Sequence, residues 1–333
     1  LLHINYDEFF AAEAAFITAL NLEPTLPLAH HNYGYLLWLQ DKHQQALDHF
    51  QMALASNPMS AITNFAVADS LFTTGQLNDA LKQYQHCVAL LPDYPACHMG
   101  IANFYRFTSQ PEKAQQHMLL AKAKSAENSV YWMTAKTVDA LWQGEVATAD
   151  SLQKESTIFA DSAYLGLQLK TLINIQMGKS ASWLLALESA SQQWPENKAL
   201  KLVLALNYYF TGNCAASLAL YEPVLIEDIT LHGKFNTAAW GISHIANMAD
   251  CYQQNNNHAE FDKMQQTLAR QIAQFQTDSY LVPGLILLTA KLDLLNGKPA
   301  QARSKLGKLP HLSSPVEWLT HGDPIFYRLE EVQ

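Results

Sequence analysis

Thirteen His and four Cys are the residues of this 333-residue chain with the chemistry to hold a metal or attack a substrate. Their spacing argues against both. No His-x3-His or Glu-x-x-His pattern occurs, and the only adjacent pair, His30-His31, would point apart on a helix. Cys87, Cys97, Cys214 and Cys251 form no C-x-x-C pair, which disfavours a zinc ribbon or a redox dithiol. They read as small buried hydrophobes. Cys87 and Cys97 flank a chain reversal at Pro92 and Pro95, so they are expected to be close in space, as free thiols. Cys214 follows Gly212 at a helix start, where the helix dipole lowers a thiol pKa, but a nucleophile also needs a His base that no motif supplies. There is no G-x-S-x-G, no P-loop and no G-x-G-x-x-G. The sequence predicts no enzyme, no cofactor and no metal.

Composition says what must position the remaining side chains. Leu occurs 48 times and Ala 44 times, against 10 Val. That skew favours helix over sheet. The formal charge is −9 and there are four Arg, with no basic cluster to neutralise phosphates, so direct nucleic-acid binding is not expected. The longest uncharged apolar stretch, 280–290, is too short to span a bilayer, which needs about 20 residues.

A period organises the chain. Pro24, Pro58 and Pro92 are spaced by 34, as are Ala12, Ala46 and Ala80, then Phe16, Phe50 and Tyr84, then Ala19, Ala53 and Cys87. One unit reads His30-x2-Tyr33-Gly34-x2-Leu37, then Ala46-x3-Phe50, then Pro58; the next reads Val67-Ala68-x2-Leu71, Ala80-x3-Tyr84, Pro92. The third reads Ile101-Ala102-x2-Tyr105, then Ala114-x3-Met118. Small residues at these positions let two helices approach, and the aromatics fill the space between units. The chain resembles the tetratricopeptide repeat family, strongly over 1–126 and less so beyond. The frame then slips by one residue and resumes at Gly144, Gly178 and Gly212, with Trp183 at a position meant for a small residue. From about Glu222 the period breaks. Four segments follow: well-matched units over 1–126, the first truncated; degenerate units over 127–225; longer, irregular pairs over 226–309 with turns at Asn255–His258 and Asn296–Pro299; and a cap over 310–333.

The resemblance implies an all-α, right-handed superhelical solenoid of helix–turn–helix repeats. It implies that the first helix of each pair lines a concave groove. On that frame the groove carries Leu28, His31, Tyr35 and Trp38, then Ile62, Phe65, Asp69 and Phe72, then Met99, Asn103 and Arg106. Further on it would carry Tyr131, Val138, Leu141 and Trp142, then Leu202, Leu206, Tyr209 and Phe210. His31, Tyr35, Trp38, Phe65, Asp69, Phe72, Asn103 and Arg106 are the candidate partner-binding residues. Aromatic anchors suit a peptide or protein segment. The Lys/Asn/Arg clamp of the family's chaperone-binding members is absent: its positions read His31, Tyr35, Ala66, Ala96 and Gly100. The expected function is a non-enzymatic binding scaffold. The alternative is a sensor or effector region of a bacterial regulator with an upstream DNA-binding domain. That reading rests on a short likeness of Glu317-Trp318-Leu319 and Asp323-Pro324-x-Phe326-x-x-Leu329 to the repeat regions of bacterial winged-helix regulators. The chain opens without Met, in mid-helix, as an excised segment would. The expected compartment is the cytoplasm, or the periplasm if a membrane helix precedes Leu1.

Overall fold

A computed structural model of the chain describes residues 6–39, 42–126, 130–155, 170–171, 173–174, 177–193, 195, 198–225, 243–274, 283–309 and 324–329. It has two compact units, Leu1–Ala135 and Lys136–Gln333. The described residues form sixteen α-helices and one 3-10 helix, with no strand among them. In the first unit these are α1 (Tyr6–Leu22), α2 (Pro27–Leu39), α3 (His43–Ser56), α4 (Ala61–Thr73), α5 (Leu77–Leu90), α6 (Pro95–Phe107) and α7 (Pro111–Lys124). Helix α8 (Val130–Trp142) crosses the boundary, and α9 (Val146–Glu155), α10 (Ser180–Gln193), α11 (Lys198–Phe210) and α12 (Cys214–Leu225) follow. The second unit ends with α13 (His244–Gln254), α14 (His258–Gln274), α15 (Pro283–Leu295), α16 (Pro299–Leu306) and a 3-10 turn over Pro324–Leu329.

Adjacent helices pair antiparallel, α2 with α3, α4 with α5, α6 with α7, and later α11 with α12, α13 with α14, α15 with α16. The chain must reverse within about three residues between paired helices, and at seven reversals among the described residues a left-handed residue does it. Gly75, Gly144, Gly178, Gly212 and Gly297 all have positive φ, between 67° and 84°. Ser109 and Asn256 fill the same role at φ 56°. Pro at the first turn of α6, α7 and α16 starts those helices where no N–H is needed.

The repeat contacts follow from residue size. Ala46, Ala68, Ala80 and Ala102 are fully buried. A Cβ at Gly34 would meet the Phe50 ring at 2.9 Å, and one at Gly100 would meet the Tyr84 ring at 2.2 Å. Glycine is therefore fixed at both places by an aromatic side chain lying against the backbone. Each pair also touches the next through its first helix: α2 touches α4 and α4 touches α6. In the second unit α11 touches α13 and α13 touches α15. Ile325 and Phe326 are buried, and their 3-10 turn packs on α15 and α16.

The cysteines correct the expectation of free thiols. Cys87 and Cys97 are disulfide-bonded, their Cα atoms 6.0 Å apart, which ties the end of α5 to the start of α6. Cys214 and Cys251 are also bonded, with Cα atoms 5.2 Å apart, which ties α12 to α13. The reversal at Pro92 and Pro95 brings the first pair together as expected. Cys214 and Cys251 are far apart in sequence and meet because α12 packs on α13. The bond also removes Cys214 as a nucleophile. Trp183 takes its small-residue position by finding a polar partner: its Nε1 donates to Thr171 Oγ1 at 2.9 Å.

Candidate protein-binding face

The first helices α2, α4 and α6 succeed one another along one side of the N-terminal unit. Their outward stripe starts at Leu28, which is 67% exposed. One and two turns on come His31 and Tyr35, and Tyr35 is 53% exposed. Tyr35 stacks on Trp38, ring centroids 6.4 Å apart and planes within 4°. Trp38 is half-buried because its edge meets the His43 ring of α3 at 5.7 Å. The structure thus brings Tyr35 and Trp38 together as one flat aromatic platform.

His31 lies lower in the stripe. Its Nδ1 is 3.2 Å from Thr63 Oγ1, so it bridges α2 to α4, and its ring packs on Phe50 at 5.5 Å. Burial holds its pKa below the usual histidine value. The ring is neutral at pH 7, a hydrogen-bonding group rather than a cation.

On α4 the stripe opens with Ile62, 53% exposed. Phe65 and Asp69 both converge on Tyr84 of α5. The Phe65 ring sits 6.1 Å from Tyr84 and 6.1 Å from Tyr94, edge-on to the latter. Tyr84 donates its hydroxyl proton to Asp69 Oδ1 at 3.0 Å. Burial pushes the Asp69 carboxyl up to about 6, with the Tyr84 hydrogen bond pulling the other way. The Tyr84 hydroxyl is itself pushed well above its usual value by burial and by the adjacent Asp69. Tyr84 and Tyr94 shape this part of the face although the groove frame did not include them. Tyr84 stood in the sequence as a filler between repeats, and Tyr94 lies in the loop before α6.

Two candidates fall elsewhere. Phe72 is only 5% exposed and packs on Phe104 and Phe107 of α6, at 6.4 and 5.2 Å. It belongs to the core between repeats, because the turn that ends α4 leans against α6. Arg106 is buried too, with Nη1 donating to Asn103 Oδ1 at 3.2 Å. Asn103 is exposed and is the polar group that α6 presents on this face.

The stripe does not continue as expected into later helices. Leu141, Leu202, Leu206 and Tyr209 are buried. The side chains of Tyr131, Val138 and Trp142, and residues 317–323 of the tail, lie outside the described residues. Among the described residues no three His, Cys, Asp or Glu converge to hold a metal, and no helix is long and apolar enough to cross a membrane.

No family model matches the sequence, and no curated protein matches it. Solved structures do. A chain of the APC/C hetero-tetramer Cut9–Hcn1 is similar with a TM-score of 0.62 at 14% identity, over 98% of this chain and 59% of that one. The chain therefore spans 59% of the length of that first structural relative. Human IFIT1, solved as a dimer with PPP-AAAA, is similar with a TM-score of 0.51 at 17% identity, over 85% of this chain and 72% of that one. Identities this low carry the fold alone. With the 34-residue register and the paired helices, they make the fold an all-α array of tetratricopeptide-type helix pairs.

Proposed function

We propose that the N-terminal unit is a non-enzymatic scaffold that holds a peptide or a segment of a partner protein against the first-helix face of α2, α4 and α6. The carrying observation is that Leu28, Tyr35 and Ile62 stand exposed on this face beside the half-buried Trp38 and Phe65. Exposed apolar groups clustered on one face favour an interaction site. A flat Tyr–Trp stack suits an apolar or aromatic anchor of an incoming segment. His31, Asp69 and Asn103 supply the polar edge. Asp69 would accept a hydrogen bond from an incoming backbone N–H when ionised. The acidic balance and the scarcity of Arg favour a peptide over a phosphate-bearing ligand. The two buried disulfides support a compartment that keeps thiols oxidised, in place of the cytoplasm.

The test is a random peptide library selected against the chain and re-measured against Tyr35→Ala, Trp38→Ala and Ile62→Ala. Peptides that use this face lose about 2 kcal/mol or more at a hot spot. If the selected peptides bind all three variants as tightly as the parent protein, the face is not the site. Alkylation of thiols in protein taken from its native compartment checks the disulfides: four labelled cysteines would refute the oxidising reading.

A further inference from the structure

Two histidine pairs in the N-terminal unit occupy one register, two repeats apart. His30 of α2 and His49 of α3 bring their Nδ1 atoms to 2.9 Å, and His98 of α6 and His117 of α7 bring theirs to 3.2 Å. Residues 30 and 98 differ by 68, as do 49 and 117, which is twice the 34-residue period. In each pair the first-helix ring also turns its Nε2 toward the carbonyl of a repeat-ending proline, Pro24 at 2.8 Å and Pro92 at 3.2 Å. His30 and His98 are each 5% exposed. The repeat between them builds the same link without a titratable group. Asn64 Nδ2 donates to the Pro58 carbonyl at 3.0 Å, and Gln83 Nε2 donates to Asn64 Oδ1 at 2.5 Å.

The proton count follows from the atoms. A carbonyl oxygen only accepts, so Nε2 of His30 and of His98 must carry hydrogen. Between two Nδ1 atoms at hydrogen-bond distance there is room for one proton. A neutral pair satisfies this, with the second-helix ring donating. A pair holding one extra proton also satisfies it, since either ring can be the donor. A second extra proton places hydrogen on both Nδ1 atoms. The hydrogen bond is then lost, and two cations face each other in a half-dry site.

We propose that these pairs make the N-terminal unit acid-sensitive, each clasping the two helices of its repeat while it holds at most one extra proton. The surrounding groups do not cancel this. Around the first pair, burial and then His30 lower the His49 pKa, while Asp48 raises it. The Tyr33 ring lies edge-on to His49 at 4.6 Å, and its hydroxyl donates to Glu13 of α1 at 3.1 Å. Around the second pair, burial lowers His98 most, the Pro92 carbonyl raises it, Lys124 lowers it and Asp93 raises it. Lys124 and Asp93 are themselves paired, which leaves little net charge beside the ring. Burial and then His98 lower His117, whose ring packs on Tyr105 at 5.9 Å, with Lys113 over that Tyr.

A histidine whose folded pKa is lowered binds fewer protons in the folded state than in the unfolded state. Stability is therefore lost as pH falls from the unfolded value of about 6.5 down to the lowered folded value. Asp69 acts in the opposite sense. Its folded carboxyl, raised to about 6, takes up a proton before the unfolded one does, so its share of stability grows as pH falls toward 3.8. Asp69 belongs to α4, in the repeat that lacks the histidines.

Hydrogen exchange on the whole chain at about pH 7.5 and about pH 5.5, on either side of the free histidine value, tests this after correction for intrinsic rates. Protection in α2–α3 and α6–α7 should fall relative to α4–α5, by at most about tenfold for each of the lowered histidines His49, His98 and His117, because pH 5.5 lies about one unit below the free value. The variant His30→Asn, His49→Gln, His98→Asn, His117→Gln copies the polar link of the middle repeat and should remove the acid loss from α2–α3 and α6–α7, leaving only the Asp69 response in α4–α5. Should that variant not fold, His98→Asn with His117→Gln alone tests the third repeat while the first remains as control. Imidazole NMR of the unaltered protein gives an independent reading. Nδ1-protonated His49 and His117, and Nε2-protonated His30 and His98, are expected at about pH 8, above the free histidine value. Equal acid response in all three repeats, or four rings titrating singly at the ordinary value, would overturn the proposal.

Discussion

The two units solve the same packing problem by different means. In the N-terminal unit each solution is used again. An aromatic ring lies on a glycine at Phe50–Gly34 and at Tyr84–Gly100. A first-helix side chain takes a proline carbonyl at His30, Asn64 and His98. In the C-terminal unit the polar links among the described residues are more varied, although a tyrosine donating to a carboxylate recurs at Tyr208–Glu188, Tyr209–Asp250 and Tyr252–Glu222. Thr171 accepts from both Trp183 and Asn207. Asp250 accepts from Tyr209 and Gln254 at 3.0 Å each. Tyr221 bonds His244, and Tyr252 donates to Glu222. A stack of near-identical units needs one good interface repeated; once the period breaks, over helices that are uneven rather than longer (Pro299–Leu306 has 8 residues and His258–Gln274 has 17), other polar links take over. Regularity in this chain is thus a property of its contacts, and the sequence period follows from it.

The comparison breaks most sharply at the first-helix face, where Phe72 and Tyr35 read alike in sequence. Phe72→Ala empties a buried site between α4 and α6 and should cost about 3–5 kcal/mol. Tyr35→Ala removes an exposed ring and should stay within about 0.5 kcal/mol. Denaturant midpoints of the two variants decide it. Equal losses would mean that the division of this face into core and platform is misplaced.

The disulfides come next. Cys214–Cys251 closes a separation of 37 residues and Cys87–Cys97 one of 10. Chain entropy assigns them about 4 and about 3 kcal/mol. Replacing each pair by Ser should therefore weaken the unit that holds it, and the longer loop should lose more. If neither double variant shifts its unfolding midpoint, the bonds add nothing to stability.

What the sequence disclosed, and what it hid, follows the same division. The period fixed the helix pairs, their turns and the tight positions Gly34, Ala46 and Ala80, because one steric requirement recurred. It placed Cys87 near Cys97, because both flank a single turn. Their oxidation was hidden, since a buried thiol and a half-cystine look the same in a sequence. Cys214 and Cys251 were further hidden, because their meeting depends on how α12 packs on α13. On the proposed binding face, the aromatic positions Tyr35, Trp38 and Phe65 were legible from helical spacing. Phe72 and Arg106 were not, because spacing gives a side of the helix but not how closely the next repeat covers its last turn. The histidine pairs were legible in principle: the 34-residue alignment sets His30, Asn64 and His98 in one column and His49, Gln83 and His117 in another.

A smaller effect sharpens the account of repeated contacts. Gly100→Ala drives a methyl group into the Tyr84 ring, whose hydroxyl is held by Asp69 and so cannot easily swing away. Overpacking here should cost about 1–3 kcal/mol. Asn207→Ala, in the other unit, removes one of the two hydrogen bonds that the buried Thr171 hydroxyl accepts and should cost about 0.5–1.5 kcal/mol by a different mechanism. A second change separates the two. Tyr84→Phe frees the ring and should soften the Gly100→Ala loss, while leaving that of Asn207→Ala unchanged. Additive behaviour of Tyr84→Phe with Gly100→Ala would show that the ring is not what fixes the glycine.

The smallest expected change is a gain. Ser109 stands one period after Gly75, at the reversal between α6 and α7, with φ 56° where Gly75 has 84°. An L-residue with a Cβ pays about 1–2 kcal/mol in that left-handed region, and glycine does not. The Ser109 hydroxyl offers no compensation, since its Oγ is buried without a hydrogen-bond partner. Against this, glycine loses about 0.4–1 kcal/mol by loosening the unfolded chain. Ser109→Gly should therefore stabilise the N-terminal unit by about 0.5–1 kcal/mol, a rise of a few degrees in its melting point. The mirror change, Gly75→Ser, should destabilise the same unit by a similar amount, because it imports the strain that Ser109 already carries. Were Ser109→Gly to lower the melting point, the left-handed turn would not be the strained element of the repeat, and the common geometry of its seven reversals would have another cause.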